Sequence, residues 1–119
     1  MKNFKELIVW KKAHQHALLI YKYTETFPKE EQFGIISQIR RAAVSIPANI
    51  AEGCGKSTQK DFANYLQISL GSAQEAEYLS LLSFELGYLR DDQHKDCMAM
   101  VNEVKAMLIS LIKKVRTKA

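Results

Sequence analysis

The run Gly53-Cys54-Gly55-Lys56-Ser57 carries the glycine-lysine-serine end of a phosphate-binding loop. The complete motif has another glycine five positions before its Gly-Lys pair, and a strand ahead of it aims the backbone amides at phosphate. Ile50 stands at that position, and the preceding residues read as helix. These glycines therefore read as turn formers, not as a nucleotide cradle. His14 and His16 are two residues apart, which turns them to different sides of a helix and rules out joint chelation. A di-iron bundle needs Glu-x-x-His twice; the chain offers Asp91-x-x-His94 once. Cys54 and Cys97 have no zinc-type spacing, and the sequence places no histidine to activate either thiol. Asp61, Glu75, Glu77 and Glu85 are spaced like solvated or paired helix carboxylates. No acid–base pair, nucleophile or metal set survives these tests, so the chain reads as non-enzymatic, without cofactor or metal.

Positive charge remains. The net charge is +4, and it is segregated along the chain. Residues 1–60 carry ten Lys/Arg against five Asp/Glu, residues 61–103 two against eight, and residues 104–119 five against none. Segregation of this kind suggests faces of opposite sign that attract polyanions or steer self-assembly. The candidate nucleic-acid contacts are Arg40 and Arg41, backed by Lys11, Lys12, Lys56, Lys60 and the C-terminal Lys113, Lys114 and Arg116. Such contacts bind RNA or DNA phosphates without reading sequence, and they weaken steeply with salt. A structural reading competes. Cations in a last helical turn complement the helix dipole. Neighbouring helical residues point about 100° apart, so one of Arg40 and Arg41 can pair inward while the other is solvated. Both readings stay open for that pair.

Four helices would position these residues. Helix 1 is expected from about 3 to 25, with Leu7, Trp10, His14, Ala17, Tyr21 and Thr24 on one seam. Its consecutive apolar residues, Leu7 to Trp10 and Ala17 to Tyr21, wrap more than one face. Phe27-Pro28 breaks the pattern. Helix 2 follows over about 31–52, with Ile35, Ile39, Ala42, Ile46 and Asn49 or Ile50 in register. Pro47 removes a backbone donor and should kink it, and Gly53 suits a left-handed position that ends it. Helix 3, about 58–86, has Thr58 as its N-cap and Gly87 as its stop. One seam is small: Phe62, Leu66, Ser69, Ala73, Ala76, Ser80, Ser83. The adjacent seam, Tyr65, Ile68, Ser72, Glu75, Leu79, Leu82, Leu86, is bulkier and includes one carboxylate, for which Arg40 or Arg41 is a sensible partner. Helix 4, about 92–115, carries Cys97, Val101, Val104, Leu108, Leu111 and Val115, with Asp91 or Asp92 as its cap. The expected fold is all-α: a single antiparallel up-down-up-down four-helix bundle over residues 1–119.

The stretch from Ser37 to Gly53 is the least generic part of the chain. Gln38-Ile39-Arg40-Arg41-Ala42-Ala43, then Ser45-Ile46, then Ala48-Asn49-Ile50-Ala51-Glu52-Gly53, closely resembles the signature of the S23 four-helix bundle family, also called the 23S rRNA intervening-sequence protein family. Leu7-x-x-Trp10 with Ala13, Phe27-Pro28, and Gly71-Ser72-Ala73-x-Glu75 agree with it. The resemblance covers roughly Phe4 to Leu89. It implies a protomer that assembles into a ring-shaped homopentamer with a basic, non-catalytic surface. A related branch, the accessory proteins of diversity-generating retroelements, works with a reverse transcriptase. Within this segment Pro47, Asn49, Glu52 and Gly53 read as structural, as does Glu75, with Asn49 expected to hydrogen-bond across to a backbone group or to the turn after Gly53.

Other bounds are simpler. The apolar run Leu7–Trp10 is too short for a signal-peptide core, and none approaches the roughly 18 residues of a membrane span. Two widely spaced cysteines fit a reduced, cytoplasmic protein. The surplus apolar faces of helix 1 and of Leu79 to Leu86 need covering, which a subunit interface would do. The second function class is a scaffold that docks a partner enzyme through an exposed patch around Tyr21, Tyr23 or Tyr88.

Overall fold

Each long apolar period becomes one helix. The computed structural model describes residues 2–119 and contains α1 (Ile8–Thr24), α2 (Ile35–Cys54), α3 (Gln59–Glu85) and α4 (Asp91–Thr117), with no strand among the described residues. Two single 3-10 turns, Phe4–Glu6 and Lys29–Glu31, precede α1 and α2. Each helix packs on the next and α1 closes onto α4, while the backbones of the diagonal pairs stay apart. The molecule measures 45 × 23 × 20 Å. No helix is long and apolar enough to cross a membrane.

The first helix starts later than its apolar run suggests. Leu7 is extended and separates the turn from α1. The seam is rotated as well, for the buried residues are Val9, Ala13, His16, Ala17, Ile20 and Thr24. His14 and Tyr21, expected inside, are exposed. With apolar residues on several faces of α1, period alone does not select the one that docks. The surplus is real: Ile8 is 60% and Leu18 58% exposed.

On α2, Ile50 joins Ile35, Ile39, Ala42 and Ile46 in the core, and Asn49 is only half-buried. The helix continues through the buried Pro47. Next to it, the Ser69 hydroxyl of α3 donates to the Ile46 carbonyl at 2.8 Å, a buried bond between the two helices. Gly53 is not a left-handed terminator. It lies inside α2, and the only positive φ among the described residues belongs to Gly87. What fixes glycine there is close approach: a Cβ would stand 2.8 Å from Tyr65 Cβ and 3.1 Å from Phe62 Cδ1.

The small seam of α3 is buried from Phe62 to Ser83 as its composition demands, and it lets α2 and α4 come close. Thr58 caps α3 by accepting from the Asp61 amide at 3.1 Å. Gly87, at φ +83, ends it with Tyr88 N–H donating to the Ser83 carbonyl at 2.9 Å. On α4, Ile112 takes the buried place expected of Leu111, and Arg90 rather than an aspartate is the N-cap, its amide donating to Gln93 at 3.0 Å.

Candidate nucleic-acid interface

Backbone and side-chain contacts gather the start of α1, the end of α2, the start of α3 and the end of α4 at one end of the molecule. The Lys2 amide donates to the Cys54 carbonyl at 3.1 Å, pinning the N-terminal segment onto the last turn of α2. Lys2, Gly53, Lys56, Ser57, Thr58 and Gln59 line a polar cleft of about 210 Å³. A second cleft, of about 200 Å³, shares Lys2 and Gln59 and adds Leu111, Lys114 and Lys118. Lys60 follows in the first turn of α3, and Lys113 and Arg116 lie on the last turns of α4.

None of Lys2, Lys56, Lys60, Lys113, Lys114, Arg116 and Lys118 forms an ion pair among the described residues. The stems of two of them are nevertheless placed. Lys2 Nζ stands 5.5 Å from the Phe62 ring centre and Lys56 Nζ 5.0 Å from that of Tyr65. Close packing of Gly53 on Phe62 and Tyr65 sets those rings where they are. Unpaired ammonium groups on placed stems can hold an anionic group.

The other sequence candidates do not join this group. Lys12 pairs with Glu103 of α4 at 3.4 Å, and Lys11 is exposed beside it. Arg40 and Arg41 sit roughly 21 Å farther along α2. Arg40 is engaged within the fold. Its Nε donates to Thr24 Oγ1 at 2.8 Å, Nη2 donates to the Tyr21 carbonyl at 3.3 Å, and the guanidinium stacks 4.5 Å from the Tyr21 ring centre. It ties α2 to the last turn of α1. Arg41 is exposed without a side-chain bond. Of the adjacent arginines, then, one points inward and one is solvated.

The expected structural residues fare differently. Glu75 is exposed and makes no bond to either arginine, because its seam faces largely outward, with Ile68 53% and Leu86 50% exposed. Asn49 donates to the Ser45 carbonyl at 2.8 Å, one turn back in its own helix, instead of crossing to another element. Glu52 is exposed. The aromatic patch expected of the scaffold reading is not continuous either. Tyr23 donates to Asp96 at 2.8 Å, a bond that, with burial, pushes its phenol up to about 12. Tyr88 donates to Glu31 at 2.9 Å, and its phenol is raised for the same reason.

Reactive groups are sealed or separated. Burial pushes the Cys97 thiol up to about 12 and raises that of Cys54, so neither favours the thiolate. His16 is fully buried, with its imidazole pushed down to about 4 by desolvation. His14 stacks on Trp10 and His94 on Phe84, with ring centres 4.9 and 4.4 Å apart. No three His, Cys, Asp or Glu side chains among the described residues converge as a metal site would. Sequence reasoning missed Lys2, Lys118 and Ser69. Distance along the chain hid the first two, whereas Ser69 already stood on the small seam of helix 3 and only packing shows that its hydroxyl meets the Ile46 carbonyl.

Known proteins place the chain in context. No curated protein matches it. A crystal structure of a protein of unknown function from the S23 ribosomal protein family of Bacteroides thetaiotaomicron superposes with a TM-score of 0.81 at 31% identity, covering 89% of this chain and 99% of that one. The family model of the 23S rRNA-intervening sequence protein matches residues 5–110. With its helix 2 signature, its four packed helices and these two matches, the chain belongs to the 23S rRNA-intervening sequence protein family.

Proposed function

We propose that this chain is a non-catalytic, homo-oligomeric protein of the cytoplasm that associates with nucleic acid, RNA or DNA, through phosphate contacts at its basic end. The observation that carries the reading is the convergence of Lys2, Lys56, Lys114 and Lys118 on two adjoining clefts, with Lys60 beside them and no carboxylate paired to any. The protomer is an antiparallel up-down-up-down bundle, a reading supported by the sharing of one end between the starts of α1 and α3 and the ends of α2 and α4. Protomers form a ring, a pentamer by family resemblance, and the exposed Ile8, Leu18, Ile68, Tyr78 and Ile109 supply apolar surface for its contacts. A ring repeats each lysine cluster, and repetition turns weak phosphate contacts into avidity.

The alternative, a scaffold that docks a partner enzyme without touching nucleic acid, is favoured by one observation: Phe33 is 92% exposed. Light scattering of the purified protein before and after nuclease treatment separates the two. The nucleic-acid reading expects an oligomer whose mass falls on digestion and which shifts RNA or DNA at low salt. No binding to either polymer at low salt would sink it, and co-purification of a protein with no nucleic acid would favour the scaffold.

A further inference from the structure

Phe33 presents an almost fully solvated ring, 92% exposed, on the turn between Glu31 and α2. The Glu31 carboxylate braces that turn with two bonds. Glu31 Oε2 accepts from the Tyr88 hydroxyl at 2.9 Å, and Oε1 accepts from the Ile35 amide at 3.4 Å. The Gly34 amide adds a backbone bond, donating to the Glu31 carbonyl at 3.0 Å. A braced tip that offers a phenyl ring to water is suited to a socket, since burying such a ring removes apolar surface from water.

The surroundings decide what kind of socket. Glu30 and Glu31 precede the ring, and Asp91 and Asp92 open α4 at the same end of the molecule. Asp91 and Asp92 are paired with Lys95 and Arg90 and Glu31 with Tyr88, so Glu30 is the carboxylate beside the ring without an ion pair or side-chain bond among the described residues. The matching surface lies on the chain itself. Between the later half of α4 and the first half of α3 runs an apolar groove of about 400 Å³, floored by Leu70, Ile109 and Ile112 and rimmed by Lys113 and Arg116. Ile109 is 55% exposed at its mouth. An aromatic knob beside the unpaired Glu30 and an apolar groove beside the unpaired Lys113 and Arg116 are complementary in apolar character and in charge.

We infer that Phe33 of one copy seats in the α3/α4 groove of a second copy. The inference rests on the homo-oligomeric reading and assigns that oligomer a contact. Knob and groove are different surfaces, so the interface is heterologous: every docked copy still offers a free groove or a free knob until a ring closes. It also removes Lys113 and Arg116 from the phosphate-binding set and leaves that role to Lys2, Lys56, Lys60, Lys114 and Lys118.

Cysteine crosslinking tests this directly, because the native Cys54 and Cys97 are both buried. Gln32→Cys, beside the retained Phe33, and Ile109→Cys proteins are mixed and oxidised. The expected result is a disulfide-linked dimer that requires both variants, with each alone remaining single-chain on a non-reducing gel. In parallel, Phe33→Ala should weaken self-association at least about tenfold by light scattering while its helical circular dichroism is unchanged. Glu30→Lys should weaken it too, and Lys113→Glu added to Glu30→Lys should restore it. An oligomer that survives Phe33→Ala and yields no mixed crosslink overturns the contact but leaves the homo-oligomeric reading standing. A wild-type chain that is monomeric across the concentrations tested overturns both.

Discussion

At the end of the molecule where α1 finishes and α4 begins, polar groups face each other. Tyr23 donates to Asp96, Tyr88 to Glu31, Arg90 holds Asp92 at 3.0 Å, Lys95 holds Asp91 at 3.1 Å, and Arg40 clasps the end of α1. At the other end Lys2, Lys56, Lys60, Lys114 and Lys118 have no carboxylate partner among the described residues. Local sequence explains the contrast. The 3-10 turn before α2 and the start of α4 bring acids beside bases, whereas residues 104–119 are entirely without acid. One end invests its charges in structure. The other leaves them for something outside the chain.

Reversing the unpaired charges should break this contrast most visibly. Lys56→Glu, Lys114→Glu and Lys118→Glu combined should lower affinity for a single-stranded RNA by about two orders of magnitude or more, since each lost phosphate contact removes roughly one unit of salt slope. The thermal midpoint should stay within about 2 °C, surface charges being weak contributors to stability. An equal loss from reversing Lys22 and Lys29 at the opposite end would erase the distinction. Between the ends, His16 links the core to pH. Its folded value of about 4 lies below the 6.5 of an exposed imidazole, so the unfolded chain binds the extra proton between those values. Stability should therefore rise by about 3 kcal/mol from pH 4 to pH 7, measured by urea unfolding, and His16→Leu should flatten that rise.

Smaller effects sharpen the comparison. Arg40→Ala should cost about 2 kcal/mol through its lost bonds and stem packing, against less than about 0.5 kcal/mol for Arg41→Ala. Equal costs would remove the distinction between the two arginines. Gly53→Ala, forced against Tyr65, should cost about 1–3 kcal/mol by chemical denaturation and loosen the rings beneath Lys2 and Lys56. Tyr88→Phe, which removes the hydroxyl bonded to Glu31, should lower the thermal midpoint only slightly and leave nucleic-acid binding untouched.

Much of the fold could be read from residue order, and the reasons are local. Thr58, Gly87 and the small seam of α3 are signals whose meaning depends on a few neighbours, and they act as expected. The face of α1 could not be read, because Leu7 to Trp10 and Ala17 to Tyr21 are apolar all round and only packing selects Val9, Ala13, His16 and Ile20. Gly53 misled for a different reason. A glycine near a helix end usually marks the left-handed turn, and only the position of Tyr65 on another helix shows that it serves close approach. The basic site was half legible. Lys56, Lys60 and Lys114 were readable as cations, but their union with Lys2 and Lys118 needs three chain segments to meet.

Salt dependence tests the central claim most directly, because only phosphate contacts release counterions in proportion to their number. A fluorescent single-stranded RNA is titrated with the wild-type protein by anisotropy at several salt concentrations between about 50 and 200 mM, a range over which such contacts weaken measurably. About four to five lysine–phosphate contacts predict a straight log–log plot with a slope of about −3 to −4. No binding at the lowest salt, or binding with a slope near zero, would contradict the account.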